Sequence, residues 1–225
     1  MKVKRIFSLN TLSNRKDNLP IILPAILNQC DLLYVNLINY YDDVVPDILN
    51  NDKIIINRWG VAGSEYRFYN YNDCDDDTYY FTIDDDILYP LDYSDVLIEN
   101  MKLYNNEAVC CVHFSNLISL KGDNVYRNRT GVNFKLELKQ NTKAMIAGIG
   151  TACFYKKNVK INLSDFKVPN MSDPYVANFL KKQSINIIAI KRKELWMKSL
   201  NEFGVSIFGN NPLKEIDKVL KEVFL

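Results

Sequence analysis

The chain has 225 residues, 48% of them hydrophobic, which suits one domain with a sizeable core and argues against two equal domains. Its 28 basic and 27 acidic residues leave a net charge of +1, which excludes the basic field of a protein that grips nucleic acid through phosphates. Five cysteines without CxxC spacing read as free thiols, the start "MKVKRIFSLN" lacks a signal-like apolar core, and no run approaches a membrane span, so the expectation is a soluble cytoplasmic protein, with room for peripheral contact at the inner membrane face.

"KRIFSL" predicts the first strand, followed by the polar loop "NTLSNRKDNLP" and a helix over "IILPAILNQ", with Pro24 in its first turn. "DLLYVNLI" and "KIIINRW" predict the next two strands, with a short helix over "VVPDILN" between them. "GSEYRFYNY" reads as a helix with an aromatic side, ahead of the strand "YYFTI". Four strand-then-helix units of this kind imply an α/β fold with an open, mostly parallel sheet flanked by helices.

A helix is expected over residues 92–106, where Leu97, Met101 and Tyr104 share a face, and then a strand at "AVCCVHF". From Ser115 to Lys143 turn signals mix with alternation, which suggests an irregular or hairpin excursion facing the substrate. "AMIAGIGTACFY" reads as one strand in which Gly148 and Gly150 admit a close neighbour, be it a ligand or adjacent backbone. "SDPYVANFLKKQ" predicts a helix with Pro174 at its start, and "INIIAI" a last strand. The tail "NNPLKEIDKVLKEVFL" is amphipathic, with Asn211 as cap, Pro212 just inside, and Leu213, Ile216, Val219, Leu220 and Val223 on the face that packs on the body.

Asp84, Asp85 and Asp86 follow directly on the buried-strand pattern "YYFTI". Open parallel sheets bind ligands beyond the carboxyl ends of their strands, and adjacent carboxylates there need a compensating positive charge. A hard divalent cation with oxygen ligands supplies one, and when bridged to a diphosphate it stabilises that leaving group. The bland alternative is a solvated acidic turn, the reading given to Asp75, Asp76 and Asp77.

In their order, "RWGVAGSEYRFY", "YYFTIDDDILYPLDY", "VCCVHF", "IAGIGTACFY" and "VPNMSDPYVANFLKKQSI" resemble the A-type (GT-A) glycosyltransferase fold. Within it they resemble the bacterial family-2-like transferases of capsule and surface polysaccharide synthesis, from about Arg5 to Trp196. The resemblance implies a DxD motif in which Asp84 and Asp86 ligate Mn²⁺ or Mg²⁺, and Asp84 and Asp85 lie at the nucleotide. It places Thr11 and Arg15 along the nucleotide, and Gly63, Ser64 and Arg67 near base, ribose or diphosphate. Asp173 in "NMSDP" matches the acid that deprotonates the acceptor hydroxyl in inverting members.

The partners implied are a nucleotide-sugar donor, UDP-sugars first, and a glycan or lipid-linked acceptor, with no nucleic acid. The single domain then divides into a nucleotide-binding half (1–90), an acceptor-side half (91–200) and a C-terminal helix (210–225). Plain structural readings stand beside these: Asp173 as a helix cap with an ordinary pKa near 4, Arg67 paired to Glu65, and His113, Trp59 and Trp196 as packing residues. Tyr155 stands where the family pattern has a histidine, and Lys191 to Lys193 read as a solvated turn.

Three other functions compete. An aspartate-nucleophile phosphohydrolase would want its DxD right after the first strand, and a nucleotidyltransferase would want a Gly-rich loop there, where "SLNTLSNRKD" has none. A non-catalytic sugar-nucleotide-binding subunit would keep the fold and the binding without turnover.

Overall fold

The structure is a computed structural model that describes residues 3–41, 45–200 and 213–225. Six consecutive buried residues mark β1 (Lys4–Leu12), the pattern of a strand covered on both faces. After a 3-10 turn come α1 (Leu19–Leu27), β2 (Leu32–Ile38), the edge strand β3 (Ile54–Trp59) and β4 (Thr78–Asp84), which again buries six residues in a row. β5 (Ile87–Leu88), α2 (Tyr93–Leu103), β6 (Ala108–Cys111), β7 (Phe114–Leu117), β8 (Arg129–Val132), β9 (Thr142–Ala144), β10 (Ile146–Ala147) and β11 (Thr151–Tyr155) follow. α3 (Ser172–Lys182), β12 (Asn186–Ala189), β13 (Lys198–Ser199) and α4 (Leu213–Phe224) complete the described residues.

Among those residues the central sheet has eight strands in the order β3-β2-β1-β4-β11-β6-β12-β9. β1, β2, β3 and β4 are mutually parallel, as are β6 and β12, while β11 and β9 run antiparallel to their neighbours. α1 and α2 cover one face, where Phe7 stacks on Phe81 with ring centres 4.4 Å apart, and Val176 and Leu180 of α3 cover the other. The chain builds outward from β1 through β2 to β3 and then returns to β1's other side with β4. That reversal opens a crevice at the carboxyl ends of β1 and β4, the place where open α/β sheets bind ligands.

Several expectations are corrected. "GSEYRFYNY" forms two 3-10 turns, Ser64–Phe68 and Tyr71–Asp73, in place of a helix, and "VVPDILN" contributes only the turn Asp47–Leu49. Phe68 and Tyr71 are buried and Tyr66 stacks flat on Trp59, so aromatic packing sets the backbone of segments too short to sustain an α-helix. α1 begins at Leu19 with Pro20 in its first turn, which leaves Pro24 in the interior. Pro24 is tolerated on the exposed side of the helix.

"AMIAGIGTACFY" is not one strand but the last residue of β9 followed by β10 and β11, these two parted by a turn closed by the Thr151 N–H on the Gly148 carbonyl (2.9 Å). β10 thereby joins β7 and β8 in a separate three-stranded sheet, which gives order to the weakly patterned stretch. Asn211 and Pro212 lie outside the described residues. α4 buries Ile216 and Leu220 as expected, and with them Asp217. No helix among the described residues is long and apolar enough to cross a membrane, and all five cysteines are free thiols.

Candidate active site at the carboxyl edge of the sheet

A cavity of about 450 Å³ opens at that crevice, and Thr11, Arg15, Gly63, Ser64, Arg67, Asp84, Asp85, Asp86 and Asp173 all line it. β1 and β4 deliver the first of these side by side, with Asn10 in register with Asp84. Asn10 Nδ2 donates to the Gly63 carbonyl (2.9 Å) and fastens the 63–68 turn to the strand end. A side chain at Gly63 would meet Glu65 Oε1 and the Tyr66 ring, each at 2.7 Å, so those side chains take up the space that a Cβ would need. Ser64 Oγ accepts the Ser172 N–H (3.2 Å), and Thr11 Oγ1 lies 3.4 Å from the Tyr40 hydroxyl.

Two arginines hold the three carboxylates. Arg67 pairs with Asp84 and also donates through Nε to the Ile83 carbonyl (3.0 Å). Arg15 Nη1 reaches both Asp85 (2.8 Å) and Asp86 (3.2 Å). Glu65, the alternative partner for Arg67, instead accepts the Asn170 N–H at 3.1 Å. The expected compensating positive charge is supplied, in part, by these guanidinium groups.

The three acids differ in setting. Asp85 is 5% exposed at its side chain, and besides Arg15 it accepts the Leu12 N–H (3.4 Å), while Asn18 Nδ2 donates to its backbone carbonyl (2.9 Å). Burial lifts its carboxyl above the usual range in spite of Arg15. Asp84 and Asp86 keep about a third of their side chains exposed. Burial and then the charge of Asp84 lift the Asp86 carboxyl as well.

Asp84 and Asp86 thus form a mutually repelling pair of oxygen donors on an open wall, which fits a hard divalent cation. Among the described residues no three His, Cys, Asp or Glu side chains are grouped to hold a metal, so such a cation would draw its remaining ligands from a bound phosphate and water.

Asp173 lies in the first turn of α3, where it was open to reading as a cap, but its Oδ1 accepts the Ile149 N–H (3.1 Å) across to the β10–β11 turn, and no side-chain cap bond forms. Burial raises its pKa to about 6, against the lowering pull of that N–H, with Asp84 adding to the rise. The ordinary value near 4 expected from the sequence is therefore corrected.

Sequence reasoning missed Tyr89, whose buried hydroxyl accepts the Asp84 N–H (2.7 Å) and donates to the Gly150 carbonyl (2.6 Å). Its only trace in the sequence is its place three residues beyond Asp86. His113, read as a packing residue, lines the cavity, and burial lowers its pKa so that the imidazole is neutral at pH 7. Tyr155 ends a strand antiparallel to β4, pairs with Tyr79 at the end of the strands away from the cavity and donates to Asp77 (2.7 Å). A ligand from that position could not reach the cavity, because the start of β11 faces it instead. Trp59 and Trp196 do not line it, and Arg192 departs from the solvated-turn reading by being buried, donating to the Asn133 carbonyl at 3.0 Å.

No protein-family description and no curated protein matches the sequence. Among solved structures the fold is similar to TarS of S. aureus, residues 1–349, with a TM-score of 0.53 and 10% identity over 85% of this chain and 59% of that one. It is also similar to CMP:2-keto-3-deoxy-manno-octonic acid synthetase complexed with CTP, with a TM-score of 0.51 and 11% identity over 97% of this chain and 99% of that one. The chain thus spans about three-fifths of the TarS fragment. At such identities the likeness is one of fold, and that fold is GT-A-like, with a mostly parallel central sheet and a C-terminal helix.

Proposed function

We propose that the protein is a metal-dependent, inverting glycosyltransferase of bacterial surface polysaccharide synthesis, moving a sugar from a nucleotide donor, UDP-sugars first, to a hydroxyl of a glycan or lipid-linked acceptor. One observation carries this reading. Asp173, with its pKa raised to about 6, shares a single cavity with three arginine-backed carboxylates. The glycosyltransferase-like fold supports it.

Asp84 and Asp86 would hold Mn²⁺ or Mg²⁺, which when bound neutralises charge on the departing diphosphate as a Lewis acid. Arg15 and Arg67 exchange a carboxylate for a phosphate oxygen and hold the diphosphate by charge-assisted hydrogen bonds. Asp173 is mostly ionised at pH 7, yet basic enough to take the acceptor proton as the new C–O bond forms. The Ile149 N–H keeps its carboxylate aimed. Attack on the face opposite the departing nucleotide inverts the anomeric centre.

Calorimetry with UDP, CDP, ADP and GDP, with and without Mn²⁺, tests the donor site in wild type and in Asp86→Ala. Metal-dependent binding that vanishes in the variant is expected, and a folded wild type that binds none of them sinks the reading. A second reading, nucleotidyl transfer to a sugar, is favoured by the end-to-end match with the synthetase complexed with CTP. CTP and UTP belong in the same panel, and pyrophosphate release from them would decide for it.

A further inference from the structure

His113 lines the cavity with no task in the transfer proposed above. It stands two residues beyond the end of β6, and its backbone is held at both ends. Its N–H donates to Thr151 Oγ1 (2.8 Å) and its carbonyl accepts the Gly148 N–H (2.9 Å), while Thr151 Oγ1 donates in turn to the Gly148 carbonyl (3.0 Å). The ring is pressed against Gly148, where a Cβ would come within 2.8 Å of its Cδ2, and it also meets Phe134, with ring centres 6.4 Å apart. Among the described residues, the hydrogen bonds of His113 are all made by its backbone, so both ring nitrogens are left to a ligand.

The turn from Gly148 to Gly150 fixes what surrounds that ring. Gly148 abuts His113, the Ile149 N–H holds Asp173 (3.1 Å), and the Asp84 carboxylate takes up the space at Gly150. Three consecutive residues thus set the imidazole, the acid at the acceptor and the first carboxylate of the donor end around one stretch of cavity. In the transfer reading, the bond that forms and the bond that breaks both lie between Asp173 and the carboxylates at the end of β4. The group that takes part in both bonds, and therefore occupies this stretch, is the sugar being moved.

The chemistry of the ring suits a hydroxyl. Burial keeps the imidazole neutral at pH 7 against the pull of Asp84, and the charges of Arg129 and Arg192 act in the same sense as burial. A neutral imidazole has one N–H donor and one lone-pair acceptor, and a hydroxyl can engage either or both. A phosphate oxygen only accepts, and in the transfer reading Arg15 and Arg67 already serve it with charged donors. His113 does not extend the Asp84 and Asp86 pair into a metal site, because among the described residues no three His, Cys, Asp or Glu side chains are grouped to hold a metal.

We propose that His113 reads the transferred sugar through a hydrogen bond between its imidazole and a hydroxyl of that sugar. This rests on the transfer reading above and adds to it a residue that determines donor specificity.

The test is calorimetry in the presence of Mn²⁺ with UDP-glucose, UDP-galactose, UDP-N-acetylglucosamine, CDP-glucose and GDP-mannose, each beside its own nucleoside diphosphate, on wild type, His113→Phe and His113→Gln. His113→Phe keeps a ring against Gly148 and removes both nitrogens, whereas His113→Gln restores a donor and an acceptor. For the nucleotide sugar that wild type binds best, His113→Phe is expected to weaken binding roughly tenfold while the matching diphosphate changes less than about twofold, and His113→Gln to recover most of the loss. A merely structural role would weaken sugar nucleotide and diphosphate alike. Should His113→Phe fail to fold, His113→Ala decides. Equal losses for the two ligands, unchanged binding of the nucleotide sugar, or a wild type that binds diphosphates but no nucleotide sugar overturns the proposal. Failure of the donor reading itself shows earlier and separately, as a folded wild type that binds none of the diphosphates.

Discussion

The carboxylate of Asp84 fills the space that a side chain at position 150 would need: a Cβ on Gly150 would stand 1.7 Å from Asp84 Oδ2. Sequence reading left open whether this glycine admits a ligand or relieves crowding, and the crowding is with the acid itself. The atoms displaced by Gly150→Ala are the carboxylate end of a side chain paired with Arg67, so the fold should survive while Asp84 swings out of place and out of that pair. Mn²⁺-dependent nucleotide affinity is expected to fall roughly tenfold, or ~1.4 kcal/mol, with little change in melting temperature. Calorimetry and a thermal melt on the same preparation check this, and wild-type affinity in the variant would show that the position of Asp84 is immaterial.

Tyr89 ties the same two residues together through its buried hydroxyl. Tyr89→Phe keeps the ring and leaves the Asp84 N–H and the Gly150 carbonyl without that partner. Unsatisfied buried groups cost ~1 to 3 kcal/mol each, and since this end of the sheet opens on the cavity, where water can enter, a total of about 2 kcal/mol is expected. Denaturant unfolding measures it. A loss under about 0.5 kcal/mol would mean that water replaces the hydroxyl without penalty.

Arg15 neutralises Asp85 at 2.8 Å, and Asp85 is nearly inaccessible. Arg15→Ala strands a buried charge, for which a loss of ~3 kcal/mol is expected. Burial already holds the Asp85 carboxyl above its ordinary range, and removing Arg15 lifts it further. A native state that keeps a proton the unfolded chain has released loses stability as pH rises. The deficit of the variant should therefore shrink on acidification toward pH ~4, near the carboxylate's unfolded pKa. A deficit independent of pH would assign Arg15 a packing role, and the double variant with Asp85→Asn should recover most of the loss.

What the sequence made legible was local. Buried runs such as "YYFTI", a proline just inside a helix and carboxylates at a strand end report on their own neighbourhood; they led to Asp84, Asp85 and Asp86, while the resemblance to the GT-A fold pointed to Thr11, Arg15, Gly63, Ser64, Arg67 and Asp173, and all nine line one cavity. Pairings across the chain were not legible. Arg15 meets Asp85 from 70 positions away, and Asp217 meets the Val125 N–H from 92. A buried strand pattern has no direction, so the sequence could not show that β11 runs antiparallel to β4 and carries Tyr155, where the family pattern has a histidine, away from the cavity. The turns from Ser64 to Asp73 escaped because aromatic contacts with Trp59, just upstream, and with Phe154, remote in sequence, override local helical spacing.

In the proposed transfer Asp173 would join catalysis to stability. Its folded pKa of about 6 exceeds the unfolded carboxylate value of ~3.9. Between these values the native state holds a proton that the unfolded chain has lost, so stability falls as pH rises through the window and the whole cost is present above it. Roughly two pK units correspond to ~3 kcal/mol as an upper bound. Asp173→Asn, neutral and able to accept the Ile149 N–H through its carbonyl oxygen, should be more stable than wild type at pH 7.5 and equal to it below pH ~4. The same substitution should abolish transfer while leaving nucleotide binding intact, and wild-type turnover should rise with pH through a midpoint of about 6 to a plateau. Unfolding free energies at the two pH values and the pH profile of turnover check this together: equal stabilities with a flat profile would show that Asp173 carries neither a raised pKa nor the acceptor's proton, whereas a stabilised, inactive variant that still binds nucleotide means that the fold bears the cost of a buried anion to have a base at the acceptor.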